Sequence, residues 1–305
     1  MSQKILITGG SGLLGKPLTR LLLQKGYTIH HLSRKPELHG NPRLTAFKWD
    51  VENKQIDQNC IAGVSTIIHL AGENIAGRRW TAERKEKILR SRTESIRLIY
   101  SLLKRSEGHQ VKTVVSASAI GYYGTRENEL LTENVPAGEG FLAKTCIEWE
   151  KAVDEGVQFN LRIVKLRTGI VLASEGGALP EMAGPIKKGL GSPLGNGKQW
   201  MSWIHIQDVI RMYAFAVENA RLHGTYNMTA PSPVINSEFT KTLARVLGKK
   251  LWIPNVPAVG LKLVLGELSS LILDSAKVSS SKIEAEGFHF DYTVLGDALE
   301  DIYSE

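Results

Sequence analysis

Gly9, Gly12 and Gly15 spell G-x-x-G-x-x-G, and Gly10, Gly12 and Gly15 spell G-x-G-x-x-G, within the run K-I-L-I-T-G-G-S-G-L-L-G at residues 4–15. Glycines at this spacing let a backbone turn sharply off a strand and come close to an anion. A helix that follows then offers unpaired N–H groups and its positive dipole end, which is how a pyrophosphate is held. The setting supports that chemistry. Residues 4–8 read as a buried parallel strand, and Leu13, Leu14, Leu18, Leu21 and Leu22 follow at helical spacing. Thr8 at the strand end and Ser11 in the turn complete the expected contact set, while spacing alone leaves the glycine register open.

The end of the second strand bears on which dinucleotide is bound. An acidic residue there accepts a ribose 2′-hydroxyl, whereas an arginine accommodates a 2′-phosphate. This chain has H-L-S-R-K-P, with Ser33, Arg34 and Lys35 and no carboxylate, so NADP(H) is expected over NAD(H). Asp50, closing the third strand, is placed either to meet the adenine or to cap the next element. Asn74 and Arg79 sit in the loop after the fourth strand, at the sheet edge where ligands bind, so they are candidate substrate contacts. Trp203 is either a packing residue or a surface on which a planar substrate stacks.

The elements that would position these residues alternate through the first half of the chain. Strands are predicted at 28–33, 44–49, 66–71, 113–118 and 160–166, with helices at 81–105 and 142–155. That alternation predicts an α/β, Rossmann-type doubly wound parallel sheet. Residues 171–203 lose any sustained period and read as a loop-rich substrate region, followed by a helix near 205–219, where Asp208 is expected as the cap. Later helices are predicted near 237–247 and 259–273. The expected division is a cofactor domain from 1–171 plus 204–228, and a smaller C-terminal substrate lobe from 172–203 plus 229–305.

Composition narrows the function classes. A chain of 305 residues with two cysteines, Cys60 and Cys146, at no paired spacing points to a reducing compartment and away from a disulfide framework or a metal site. No charged n-region and apolar h-region precedes the first strand, and the greasiest stretch, 256–273, is interrupted by Lys262 and Glu267, so a cytoplasmic protein with no membrane partner is expected. The net charge of +7 concentrates in 78–92, a solvated helix face or a phosphate contact. With no RNA-recognition motif or aromatic-interleaved basic stripe, no nucleic-acid partner is expected.

Three motifs, T-G-G-S-G-L-L-G, H-L-A-G at 69–72 and V-V-S-A-S-A-I-G-Y-Y-G at 114–124, resemble the extended short-chain dehydrogenase/reductase superfamily of sugar-nucleotide epimerases. A narrower resemblance covers essentially the whole chain. A-G-E-N-I-A-G-R-R-W, F-L-A-K-T-C-I-E-W-E, L-R-T-G-I-V-L, W-I-H-I-Q-D-V, Y-N-M-T-A-P-S-P-V and the late G-F-H-F-D-Y are similar to an atypical "epimerase family" group with a C-terminal domain of unknown function. The resemblance implies NADP(H) binding that also draws on Leu70, Ala71, Gly72 and Arg167, and a lobe closing over the cleft. It also implies a small-molecule substrate, oxidoreductase or epimerase-like chemistry, and a possible homodimer built on helices 81–105 and 142–155.

The resemblance further implies a serine after the fifth strand and a Tyr-x-x-x-Lys pair one helix later, the tyrosine shuttling a proton with its pKa lowered from about 10. Ser118 matches the serine, with Ser116 as the other register. Lys144 matches the lysine only if Gly140 stands for the tyrosine; registered on W-E instead, Leu142 and Cys146 take the two places. Neither register supplies a tyrosine. Tyr122, which is also a candidate substrate contact, Tyr123 and His205 are the candidate substitutes. The other readings are hydride transfer that needs little help from a protein acid, and a sensor that binds NADP(H) without turnover.

Overall fold

The computed structural model describes residues 3–37 and 40–304, so the expected domain ends at 1 and 305 lie outside the described residues. In chain order the first half contains β1 (Lys4–Thr8), α1 (Gly15–Gln24), β2 (Thr28–Ser33), β3 (Leu44–Asp50), β4 (Gln55–Ile56), β5 (Val64–His69), α2 (Ala82–Arg105), β6 (Thr113–Ala119), β7 (Leu130–Leu131) and α3 (Gly140–Asp154). The second half contains β8 (Arg162–Thr168), β9 (Ile170–Leu172), α4 (Ala178–Lys187), β10 (Trp200–Met201), β11 (Trp203–His205), α5 (Ile206–Glu218), β12 (Gly224–Met228), β13 (Val234–Ile235) and α6 (Asn236–Val246). It closes with α7 (Ala258–Leu265), α8 (Ser270–Leu273), β14 (Lys277–Val278), α9 (Ser281–Ala285) and α10 (Leu295–Tyr303).

The main sheet runs β12-β8-β6-β5-β1-β2-β3-β4, parallel throughout except for the antiparallel β4 at its edge. Strand order reverses between β1 and β5, and a doubly wound sheet opens its ligand crevice at that point. Both faces are covered. Ile5, Ile7, Ile68, Val115 and Val164 pack against α1 and α5, while Leu6, Ile67, Val114 and Ile163 pack against α2 and α3. The alternation within each strand is the two-residue period of a pleated sheet buried on both sides, each fully buried aliphatic contributing roughly 1.5–3 kcal/mol.

A third cluster, including Leu172, Leu179, Trp203, Phe239, Leu243 and Leu299, forms the core of the C-terminal lobe. The sequence pattern fails in two places here. Residues 171–203 hold α4, hidden in the pattern because Pro185 stands inside the helix. The expected helix over 259–273 divides into α7 and α8, because Gly266 adopts φ 59° after Leu265.

Candidate functional site

All four glycines of the turn have close neighbours, and Gly12 and Gly15 share the Gly9 carbonyl. Gly9 adopts φ 70°, and Gly12, three residues further on, donates its N–H to the Gly9 carbonyl at 3.0 Å. A Cβ on Gly15 would stand 2.2 Å from the Gly9 oxygen, and one on Gly10 would stand 2.5 Å from the His31 ring. The turn is therefore built on the frame Gly9-x-x-Gly12-x-x-Gly15, with Gly10 required by the histidine ring beside it. α1 then begins after Leu14, whose side chain cannot cap, and carries no acidic residue in its first turn. Lys16 donates its N–H to the Gly12 carbonyl at 3.1 Å and Pro17 has none, so what this end offers an anion is the Gly15 N–H and the positive end of the helix dipole.

Thr8 fastens this turn to the neighbouring strand end. Its Oγ1 accepts N–H bonds from Leu70 at 3.1 Å and Ala71 at 3.0 Å and lies 3.0 Å from His69 Nδ1. A hydroxyl already accepting twice donates its proton to Nδ1, so the imidazole proton sits on Nε2, facing the Arg92 carbonyl at 3.3 Å and Ser95 Oγ at 3.2 Å. Complete burial holds the His69 pKa down at about 4, so the ring is neutral near pH 7. Arg92, which the sequence reading did not single out, lies beneath the following loop. Its Nη2 donates to the Glu73 carbonyl at 3.2 Å, and a Cβ on Gly72 would come within 3.1 Å of its guanidinium.

At the end of β2, Ser33 Oγ donates to the Lys35 carbonyl at 2.8 Å and accepts the Lys35 N–H at 3.2 Å. The hydroxyl shapes the turn, and Arg34 and Lys35 remain exposed. Asp50 accepts the backbone and side-chain N–H groups of Asn53, at 3.0 and 2.8 Å, which hold its carboxyl below the usual range. Of its two expected roles, the structure displays the turn cap.

The β5–α2 loop is tied largely to itself and to the C-terminal lobe. Asn74 Oδ1 accepts the Ala76 N–H at 2.9 Å, and the exposed Arg79 donates to the Val264 carbonyl at 2.6 Å. Arg84 pairs with Glu73 at 2.7 Å and lowers its carboxyl pKa. Trp80 meets Phe141 edge to face at 4.8 Å, closing the loop against α3.

Where a proton shuttle was expected, the side chains are engaged with one another. Ser118 Oγ is buried and donates to Glu150 Oε1 at 2.7 Å. Glu150 receives Arg167 through Nε at 2.8 Å and Nη2 at 2.9 Å, and Arg167 Nη1 donates to the Tyr123 hydroxyl at 3.0 Å. That hydroxyl donates to Asn227 Oδ1 at 2.7 Å, and Asn227 Nδ2 donates onward to the carbonyls of Leu131 and Ser279. This chain joins β6, α3, β8 and β12 under the cleft. Burial raises the Tyr123 pKa, the reverse of what a shuttle near neutrality needs. Arg167, expected at the cofactor, instead faces Glu150 and Tyr123, and its guanidinium lies 3.4 Å from the centre of the Tyr122 ring. Glu150, the centre of the network, was not singled out from the sequence. Its only signal is an acid one helical turn after Cys146 on a buried face.

The structure separates the two helix registers. Gly121, in the turn after β6, sits against Leu142 and Cys146: a Cβ placed on it would be 3.3 Å from Leu142 Cβ and 3.9 Å from Cys146 Sγ. Lys144 lies two residues, about 200°, round α3 and is exposed, so it does not join the other candidates. Burial pushes the Cys146 thiol up to about 12, leaving a neutral group where a lysine was expected.

Three C-terminal candidates also stand apart. Trp203 is fully buried in the lobe core and donates to the Ser232 carbonyl at 3.0 Å, so no face is free for stacking. His205 is 1% exposed, caps α5 through the Gln207 N–H, and stacks on Tyr292 with ring centres 3.8 Å apart. The helix therefore starts two residues before Asp208, which is not its cap. Asp208 accepts the N–H groups of Asp291 and Tyr292 at 2.9 and 3.0 Å, pinning the C-terminal segment. Among the described residues, no cluster of histidine, cysteine and acidic side chains could hold a metal ion.

A doubly wound parallel sheet with a G-x-x-G-x-x-G turn at its switch point defines a protein of the dinucleotide-binding Rossmann class. The chain belongs to the NAD dependent epimerase/dehydratase family, whose model matches residues 5–229, and residues 256–302 match a domain of unknown function, DUF1731. It is 37% identical over 304 residues to an epimerase family protein, YfhF, of Bacillus subtilis, covering 99% of each chain. It is also similar to a human epimerase family protein, SDR39U1, solved with NADPH, at 30% identity and a TM-score of 0.84 over 99% of each chain. A UDP-glucuronic acid 4-epimerase from Bacillus cereus, solved with UDP-glucuronic acid and NAD, shares the fold at 19% identity, with a TM-score of 0.78 over 99% of this chain and 98% of that one. The resemblance read from the motifs is thus a family membership.

Proposed function

We propose that this chain binds NADP(H) in the crevice between the ends of β1, β2 and β5, and uses it on a small molecule carrying a carbonyl or secondary hydroxyl. The observation that carries the reading is the uncapped start of α1 behind a turn so tight that a Cβ at Gly9 or Gly15 would press on its own or the neighbouring backbone. Arg34 and Lys35, exposed at the end of β2 with no acidic neighbour in H-L-S-R-K-P, support a 2′-phosphate, as does the NADPH of the human relative. When bound, the nicotinamide supplies hydride chemistry. The turn orients the dinucleotide, and the Thr8–His69 latch keeps the strand ends together. The two buried, unpaired cysteines support a reducing, cytoplasmic setting.

Proton handling falls to Tyr122. Of the three substitutes considered, Tyr123 is buried with its hydroxyl engaged and His205 is buried with Nδ1 committed to the start of α5 and its ring stacked on Tyr292, whereas Tyr122 is partly exposed and its ring is fixed by Arg167. The second reading, a sensor that binds NADP(H) without turnover, is favoured by Leu142 and Cys146 in the places of the tyrosine and lysine. Titration with NADPH, followed by a screen of carbonyl and nucleotide-sugar substrates, separates the two. The catalytic reading expects turnover that Tyr122→Phe lowers by roughly a hundredfold, within the range of general-acid contributions, with NADPH affinity unchanged. Tight NADPH binding with no turnover across the screen selects the sensor. No NADPH binding, with Gly15→Ala behaving like wild type, overturns both.

A further inference from the structure

The C-terminal lobe displays apolar side chains on a scale the rest of the described surface does not match. Trp252 is 76% exposed, Leu263 77%, Val259 70% and Val264 66%, and Leu190 is 62% exposed. α7 has no fully buried residue. It packs through Ala258, Leu261 and Leu265, so Val259 and Leu263 form its outward ridge. Leu251, beside Trp252, lies against Gly191 next to Leu190, and the Gly195 N–H donates to the Val256 carbonyl at 2.8 Å, so strip 190–195 and segment 251–264 make one surface. Isolated exposed leucines are ordinary, but a grouped set marks a contact surface.

The charges in this region point to what covers it. No aspartate or glutamate occurs between Glu238 and Glu267, or between Glu181 and Asp208. Those two stretches instead carry Lys187, Lys188, Lys249, Lys250 and Lys262, and Lys250 Nζ lies 5.6 Å from the Trp252 ring centre. An apolar ridge with an indole and lysines, and no acid within either stretch, has the composition of a surface lying in the headgroup layer of an anionic bilayer. There the lysine stems lie along the apolar boundary while their ammonium groups meet lipid phosphate. A second copy of the same face would bring these lysines against one another, so self-pairing is disfavoured. Among the described residues no helix is long and apolar enough to cross a membrane, and attachment here needs none.

We propose that the face formed by Leu190, Trp252, Ile253 and α7 docks the protein on an anionic lipid surface. This replaces the expectation of no membrane partner with peripheral contact. The test is co-sedimentation of the full chain with phosphatidylglycerol vesicles and, separately, with phosphatidylcholine vesicles. Binding to the anionic vesicles is expected to be at least roughly tenfold stronger and to weaken with salt. The double variant Val259→Asp/Leu263→Asp and the double variant Lys249→Glu/Lys250→Glu should each lower it by roughly tenfold or more, with NADPH affinity and thermal unfolding unchanged. Wild-type protein that stays in the supernatant overturns the proposal. So does sedimentation that neither variant alters, or a dimer in solution that Val259→Asp/Leu263→Asp splits in the absence of vesicles.

Discussion

The carboxyl ends of β1 and β6 lie on either side of β5 in one sheet, yet they finish in opposite electrostatic states. At β1 the backbone is shaped so that the first N–H groups of α1 have no side-chain cap. At β6 the polar groups that resemble a catalytic set are consumed internally: Ser118 by Glu150, Glu150 by Arg167, and Tyr123 by Asn227. An unpaired polar group is where a ligand gains free energy, whereas a paired and buried one contributes to the fold. The difference teaches that in this molecule the glycine turn open to a ligand and the polar network that resembles a catalytic set are separable structures.

The comparison breaks most visibly at Glu150. Glu150→Ala leaves Arg167 buried without its carboxylate, and such deletions cost about 3–5 kcal/mol. A large drop in urea midpoint is expected, while NADPH affinity, measured where the variant is still folded, changes less than about threefold. A loss of affinity as large as the loss of stability would show that the network also shapes the cofactor site.

A smaller effect sharpens the β1 side. Burial holds His69 at about 4, against an ordinary value near 6.5. Between those values the unfolded chain binds the proton and the native chain does not, so stability is fully present above about pH 6.5 and falls as pH drops toward 4. The expected loss from this group between pH 7 and pH 5 is about 2 kcal/mol. Urea unfolding at the two pH values, compared with His69→Gln, isolates the contribution, because the variant lacks this slope while retaining those of His30 and His205. An identical slope in the variant would detach His69 from the acid response.

How far the sequence reveals this division follows from the range of the interactions. The sheet was legible because a strand buried on both faces and an amphipathic helix each leave a local period, and the glycine turn because three glycines and a strand end lie within twelve residues. The shift of the fourth strand from 66–71 to Val64–His69 is a matter of where a local pattern ends. The Ser118–Glu150–Arg167–Tyr123–Asn227 network was not legible, since its members are spread across 110 positions of the chain and each looks, on its own, like an ordinary surface or catalytic type. α4 was hidden by its proline. Lys144 was misleading because spacing from Gly140 ignores which face of α3 meets β6.

Arg34 offers the smallest effect and bears on the open end of the comparison alone. It is exposed, so its pairing with a 2′-phosphate is a solvent-screened, charge-assisted contact, and Arg34→Asp should cost NADPH roughly tenfold in affinity, about 1.4 kcal/mol. NADH lacks the phosphate and gains a carboxylate able to accept its ribose hydroxyl, so its affinity should hold or rise. Parallel titrations at low and high salt check the origin, because the wild-type preference for NADPH should shrink as salt rises. Equal affinity of the wild type for the two cofactors would place the selectivity outside the β2 end. The glycine turn would then hold the shared pyrophosphate without distinguishing between the cofactors.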